Sequence, residues 1–195
     1  MGLRIISGAL GGRRLASVRG MSTRPTSDRL REAVFNILGP RVMDASVLDL
    51  FAGTGALGIE ALSRGADSGV FIDNAVEALV VIRKNIAQCA LKERSRVIRW
   101  NILKSLDCIQ CHQPPFDLVF MDPPYGADMI VPTLNHLQRS ASVGADVRIV
   151  VEHDASDCVP QVVSGFKIID QRRYGKSFVS FLACLQCMTA PTGKR

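Results

Sequence analysis

The 195-residue sequence has no stretch approaching the roughly 18 consecutive apolar residues of a membrane-spanning helix, and its beginning lacks the apolar core of a secretory signal. These absences argue against membrane insertion and export, and the expectation is a cytoplasmic protein. No internal repeat and no low-complexity linker is present either, which excludes a repeat array and a string of tethered modules. Without export, the six cysteines are read as reduced thiols. Cys108-Ile109-Gln110-Cys111-His112 has the spacing of a c-type haem attachment, and Cys184-Leu185-Gln186-Cys187 that of a metal-binding pair. Haem attachment requires export, however, and Cys184 continues a predicted strand in which positions i and i+3 point to opposite faces. No metal is expected, and Cys89 and Cys158 lie in no recognisable motif.

What is present is a hydrophobic content of 47% with a mean hydropathy of +0.17, enough to bury one full core. The formal charge is +6, and all of that excess falls in residues 1–41, which hold eight arginines against Asp28 and Glu32. A basic segment this concentrated suits a phosphate-bearing surface, with a solvated charged face as the plainer reading. Arg4-Ile5-Ile6-Ser7-Gly8 and Arg14-Leu15-Ala16 predict two short strands around Gly11-Gly12, a hairpin holding Arg13 and Arg14 at its turn. Ser27 or Asp28 is placed to cap a following helix whose buried face carries Leu30, Val34, Ile37 and Leu38. Arg24, Arg29 and Arg31 would then surround one end of a cleft.

Two loops carry the chemistry. Asp122-Pro123-Pro124-Tyr125 follows the apolar run Phe116 to Met121, so it sits where a buried strand ends. Paired prolines stop the sheet ladder and stiffen the loop, holding a carboxylate and an aromatic ring in set directions, as a planar amine-bearing base requires. Upstream, Val47 to Leu50 predicts a strand, Gly53-Thr54-Gly55 a tight turn, and Gly58 a helix able to approach the strand closely. A second strand ends in Asp73, placed to accept both hydroxyls of a ribose. A dinucleotide dehydrogenase is the competing reading, but its loop needs free helix amides for a pyrophosphate. Here Asp49 precedes the glycines, and a carboxylate there favours a cationic ligand such as S-adenosylmethionine.

Strands and helices alternate through the middle of the chain, the pattern of a parallel sheet covered on both faces. Residues 166–170 and 177–182 are predicted strands joined by too few residues for a parallel crossover, so they must form an antiparallel hairpin.

The segments Thr23 to Leu38, Asp49 to Gly55, Asp122 to Tyr125 and Arg173-Tyr174-Gly175 together closely resemble the RsmD family of bacterial methyltransferases, in order from about Arg4 to Leu185. The resemblance implies a Rossmann-like, S-adenosylmethionine-dependent α/β fold with a mostly parallel seven-stranded sheet and an antiparallel C-terminal hairpin. It implies methylation of guanine N2 in 16S ribosomal RNA. The chemistry requires no metal, and a monomer acting on an assembling small subunit is expected, with free RNA as substrate left open. Other exocyclic amines, DNA, or RNA binding without catalysis remain open from the residues alone. Asp122, Pro123 and Tyr125 are carried over as the catalytic set. The cofactor set is Asp49, Phe51, Gly53, Thr54, Gly55, Asp73 and Asn74, continued by Asn101 and Ile102. Asn101 stands where the family usually has an acid for the adenine amine, so weaker discrimination is expected there. Arg13, Arg14, Arg24, Thr26, Arg29, Arg31 and Tyr174 are carried over as RNA contacts. The implied division is a basic extension over 1–41, a catalytic domain over 42–187 and a flexible tail over 188–195.

Overall fold

The computed structural model describes residues 2–18, 28–124, 126, 128–155, 157 and 159–185. Four segments run parallel, each ended by a loop: β1 (Ser46–Leu50), β2 (Ser68–Asp73), β3 (Ser95–Arg99) and β4 (Phe116–Met121), of which β1, β2 and β4 are largely apolar and buried while the edge strand β3 is half-exposed. They are followed by β5 (Val143–Asp154), β6 (Val162–Val163), β7 (Phe166–Tyr174) and β8 (Ser177–Cys184). The sheet order is β3-β2-β1-β4-β5-β8-β7-β6, with β5 parallel to β4 and the last three strands antiparallel. The chain moves outward from β1 to β3 and then returns to β4, so the direction of winding reverses between β1 and β4. In open sheets of this kind the crevice beyond those two strand ends receives the ligand.

Alternation along the strands divides the interior into two cores. One face carries Val47, Phe71, Leu118, Phe120, Val150, Val179 and Phe181, covered by α1 (Asp28–Leu38), α2 (Ala56–Ser63) and α3 (Val76–Gln88). The other carries Leu48, Val119, Met121, Ile149, Val151 and Leu182 beneath α4 (Ile130–Arg139) and the segment containing Ile102, Leu106 and Ile109. Phe35 of α1 meets Phe120 of the central strand at a ring separation of 5.5 Å, which seats α1 directly over β4.

The sheet has eight strands, not the seven expected. The additional β6 pairs with β7 through a two-residue turn at Ser164-Gly165, both residues with positive φ, the geometry that matches strand twist in a tight hairpin. Two-residue strands carry no readable periodicity, although the Ser-Gly turn was a usable signal. β5 also extends beyond the strand over 148–152 that the sequence predicts, because it continues through a register shift opposite Phe116–Leu118.

The N-terminal hairpin reduces to one antiparallel bridge between Arg4 and Arg14, closed by Ile5 N–H to the Arg13 carbonyl and Leu15 N–H to the Leu3 carbonyl. Three buried side chains of the sheet-covering helices fasten it. Glu60 accepts the amides of Ile6 and Ser7 at 2.7 and 3.0 Å, and Ser63 Oγ accepts the amide of Leu10 at 3.0 Å. Asn85 accepts the Ala16 amide at 2.7 Å and donates to both the Ala16 and the Thr54 carbonyls. The described part of the extension is therefore hydrogen-bonded into the sheet-covering layer.

The buried face of α1 differs from expectation. Leu30, Val34 and Leu38 are buried as foreseen, but Ile37 is 40% exposed and Arg31 is 0% exposed. Arg31 donates to Asp28 Oδ1 at 2.8 Å and to the Arg4 carbonyl at 2.7 Å. It is a structural bolt beneath the arm and not an RNA contact, which corrects its assignment. Burial lowers its proton affinity, while Asp28 and Glu60 counteract part of that effect.

Candidate active site

The loop after β1 is shaped by three residues in left-handed backbone conformation: Phe51 at φ 57°, Gly53 at φ 54° and Gly55 at φ 75°. Phe51 is no glycine, so this conformation carries a steric cost that the surrounding loop must hold in place. The loop closes through Gly55 N–H to the Ala52 carbonyl at 2.6 Å, while Ala52 N–H reaches across to the Ile72 carbonyl at the end of β2. Gly55 then starts α2. Gly58 must lack a side chain because a Cβ would lie 2.4 Å from the buried Phe71 ring.

Three carboxylates surround this loop. Asp49 is buried and accepts the Gly58 amide at 3.0 Å. One of the helix amides that a pyrophosphate would need is thus already taken by an acid, which strengthens the case against a dinucleotide ligand. Asp73 accepts the Gly53 amide with one oxygen and the Ala75 amide with the other, both at 2.9 Å. Each oxygen retains one lone pair, so ribose hydroxyls can be received by a carboxylate already fixed in direction. Asp122 follows β4 on the same sheet face as Asp49, and its charge is felt there. Burial pushes the Asp49 carboxyl well above the ordinary range, the Gly58 amide opposes this, and the negative Asp122 and Asp73 push it further up.

A carboxyl that binds its proton more tightly in the folded state than in the unfolded chain stabilises the fold when protonated. That contribution is lost as pH rises above the ordinary carboxylate range of about 4. Asp49→Asn is therefore expected to raise the ligand-free melting temperature at pH 8 by roughly 2–4 °C for each kcal/mol recovered. The gain should shrink toward pH 4. Calorimetry across that pH range checks the sign, and a variant melting below the parent at pH 8 would show that Asp49 is held as a favourable anion.

The remaining expected cofactor residues are assembled unequally. Thr54 lies in the glycine loop with its carbonyl held by Asn85, and Asn74 is exposed just beyond β2. Asn101 follows β3, but its side-chain carbonyl accepts the Leu103 amide at 3.1 Å, closing a local turn. One lone pair remains for an adenine amine, a weaker acceptor than the acid it replaces. The Ile102 side chain is buried in the second core, so its backbone is the part that faces outward chemistry.

Beyond β4, Pro123, Pro124, Asp128, Met129, Ile130 and Asp157 line a cavity of about 240 Å³. Asp157 orders its rim by accepting the Gly126 and Asp154 amides. Tyr174 is half-buried on the first core at the end of β7, while Arg14 and Arg29 are exposed. Arg13 is exposed but donates to the Gln88 carbonyl at the end of α3, so one of its donors is committed. Tyr125, Arg24, Thr26, Ser27, Cys158, Cys187 and the tail 188–195 lie outside the described residues. Among the described residues no cluster of three or more His, Cys, Asp or Glu side chains is placed to hold a metal, and no helix is long and apolar enough to cross a membrane.

Sequence reasoning missed two residues of this region, Asn85 and Glu152. Asn85 reads as an ordinary polar position on a helix, and only the fold brings it between the N-terminal arm and the glycine loop. Glu152 ends an apolar run just as Asp73 and Asp122 do, a signal that could have been used.

A family profile described as conserved hypothetical protein 95 matches residues 3–183. Ribosomal RNA small subunit methyltransferase D of Escherichia coli strain K12 is 36% identical over 177 residues, covering 89% of this chain and 86% of that protein. The Haemophilus influenzae protein of the same name is 36% identical over 152 residues, covering 77% and 78%. Among solved structures, yhhF from Escherichia coli superposes with a TM-score of 0.80 at 32% identity, covering 94% of this chain and 98% of that one. SMU.776, solved in complex with SAH, shares the fold at a TM-score of 0.62 and 15% identity, over 80% of this chain and 48% of that one.

Proposed function

The chain belongs to the RsmD family, whose profile covers nearly its whole length, and from that premise we propose that it methylates the N2 amine of one guanine in 16S ribosomal RNA. The family's chemistry is S-adenosylmethionine-dependent methylation of small-subunit ribosomal RNA, and the guanine N2 amine is our finer reading. The observation that carries it is the placement of Asp122. This acceptor stands at the reversal point of the sheet, close enough to the glycine loop for its charge to act on Asp49.

The residues present fit the cofactor. A Cβ at Gly53 would meet nothing nearer than the Phe51 carbonyl at 3.9 Å, so the loop mouth has open room beside its backbone. Asp73 would hold the ribose, the backbone around Gly53 to Gly55 the amino-acid portion, and Asn101 with Ile102 the adenine. When bound, S-adenosylmethionine supplies an electrophilic methyl group on a sulfonium centre.

The guanine N2 lone pair is delocalised into the ring, which makes the amine a poor nucleophile. In this reading Asp122 and the Pro123 carbonyl accept the two amine hydrogens and draw the lone pair out of conjugation, while Tyr125 stacks on the base. Asp122 acts as an orienting acceptor, since the nitrogen becomes acidic only once it carries the new bond and releases its proton afterwards. Rate comes from positioning and electrostatics. A base inside folded RNA is inaccessible, so the target must lie in a loop or be flipped out.

The same reading makes residues 1–41 an RNA-binding extension of a catalytic domain over 42–187, with 188–195 as a tail. It places the substrate in an assembling small-subunit particle met in the cytoplasm by a single copy of the chain. Incubating the protein with labelled methyl donor and particles from an unmodified strain, then mapping the label, tests it. Label on guanine N2 is expected. Label on an adenine or cytosine amine would replace the guanine assignment, and RNA binding with no transfer would leave an assembly factor.

The basic extension makes a separate prediction. Arg13→Ala, Arg14→Ala and Arg24→Ala combined should leave melting temperature and S-adenosylhomocysteine affinity near parental values, yet weaken RNA binding. The slope of log affinity against log salt should fall by about 0.7–0.9 for each phosphate that the variant no longer neutralises. Parallel salt lines at equal affinity would remove this segment from the RNA interface.

A further inference from the structure

A fourth acid lies on the catalytic face. Glu152 is only 7% exposed and ends the apolar run of β5. Met121 of β4 pairs with Val151 of β5, so Asp122, one residue beyond the end of β4, and Glu152, still within β5, come next on neighbouring parallel segments. Adjacent strands run roughly 4.8 Å apart. Both residues also belong to the same face. Leu118 and Phe120 precede Asp122 in the alternation, Val150 precedes Glu152, and all three apolar residues belong to the core beneath α1. Farther along the same edge, Tyr174 packs on that core. The face therefore presents Asp73, Asp49, Asp122 and Glu152 in strand order from the glycine loop toward β8 and β7.

We propose that Glu152 is a specificity-determining residue that accepts the ring N1–H of the target guanine while Asp122 accepts the neighbouring N2 amine. The proposal rests on the reading of Asp122 given above and deepens it. Guanine carries two donors side by side on this edge, N1–H and N2–H, whereas adenine and 2-aminopurine carry an acceptor at N1. Two carboxylates on adjacent strands match the first pattern and repel the second. A carboxylate has roughly four acceptor sites, so one carboxylate can hold a donor of the protein and an N–H of a base together. A site built to bond a substrate N–H rejects the analogue lacking it far more strongly than a shape-selective pocket can.

The test uses the whole protein and small-subunit particles reconstituted on 16S RNA carrying either guanosine or 2-aminopurine riboside at the mapped nucleotide. Both bases keep the reacting 2-amine, and only guanine has the N1 hydrogen. The parent should favour guanine in kcat/KM by roughly 10⁴-fold. Glu152→Gln should lose activity on guanine yet bring the two bases within a few-fold of each other, because an amide N–H can donate to the 2-aminopurine N1. Glu152→Asp, which keeps the carboxylate, should be slower but retain the guanine preference. S-adenosylhomocysteine affinity should be unchanged in both, which a merely misfolded variant would not show. A guanine preference in Glu152→Gln equal to that of the parent overturns the proposal and leaves the guanine N2 reading standing. A parent preference lost equally in Glu152→Asp and Glu152→Gln overturns it too. Label on a base other than guanine overturns both.

Discussion

Asp122→Ala is expected to lower turnover by roughly 10²–10³ while leaving S-adenosylhomocysteine affinity within a few-fold of the parent, the size of loss that follows removal of one preorganised hydrogen-bonding group at a reacting centre. The reason is positional. Asp122 leaves β4 one residue after Met121, on the face of Asp49 and Asp73, while the hydrogen bonds that shape the glycine loop come from those two other acids. Removing Asp122 takes away the acceptor for the amine, while Asp49 and Asp73 keep the Gly58, Gly53 and Ala75 amides. Asn in its place keeps one acceptor oxygen and should fall between the parent and Ala. Single-turnover rates with calorimetric affinities separate these effects, and full turnover in the Ala variant would transfer the amine-holding role to another group.

The second large effect is on stability. Arg31→Ala should destabilise the fold by about 3 kcal/mol, because it removes a buried cation and leaves the Arg4 carbonyl and Asp28 Oδ1 without their donor, although Asp28 Oδ2 keeps the Arg4 guanidinium. Asp28 is 35% exposed, which lets water recover part of the loss and keeps the figure at the low end of the range for broken buried pairs. Two guanidinium nitrogens, Nε and Nη1, have no partner among the described residues. Arg31→Met, which keeps most of the volume and removes those unpaired donors, should therefore cost less than Ala. Urea unfolding measures the differences. An Ala variant as stable as the parent, with a flatter salt dependence of RNA binding, would return Arg31 to the RNA interface.

Arg31 also shows where sequence reasoning stops. A stripe drawn through Leu30, Val34, Ile37 and Leu38 puts the centre of the buried arc too far toward Ile37. Phe35, which reaches across to Phe120, rotates that centre onto Arg31 and turns Ile37 outward. The charge on Arg31 argued for solvent, and its partners, one turn back and in the arm, are known only once the chain is folded. The parallel strands were legible for the opposite reason. β2 and β4 are short apolar runs that end at an acid, which marked Asp73 and Asp122, and β1 leads straight into the glycine turn behind Asp49. The extent of β5 was not, because its continuation passes through a register shift that breaks the alternation. The local turn that occupies Asn101 likewise depends on the backbone of Leu103 and leaves no periodic trace.

The fastening of the arm bears on the order in which the molecule can be made. Residues 3–16 leave the ribosome well before the side chains that hold them, Glu60, Ser63 and Asn85, which lie 53 to 69 positions later in the chain. During synthesis the arm must wait, unanchored, until α2 and then α3 have emerged, and α3 also holds the Thr54 carbonyl of the glycine loop. The dependence runs the other way too. A shortened gene product that began at α1 would lose the arm's amides from Glu60, Ser63 and Asn85, leaving Glu60 with Arg64 and Asn85 with the Thr54 carbonyl, at about 1–3 kcal/mol for each acceptor that stays buried without a donor. The arm thus behaves as a late-closing clasp that also supplies Leu3, Ile5 and Leu15 to the first core, and trimming it to obtain a smaller catalytic unit works against the fold.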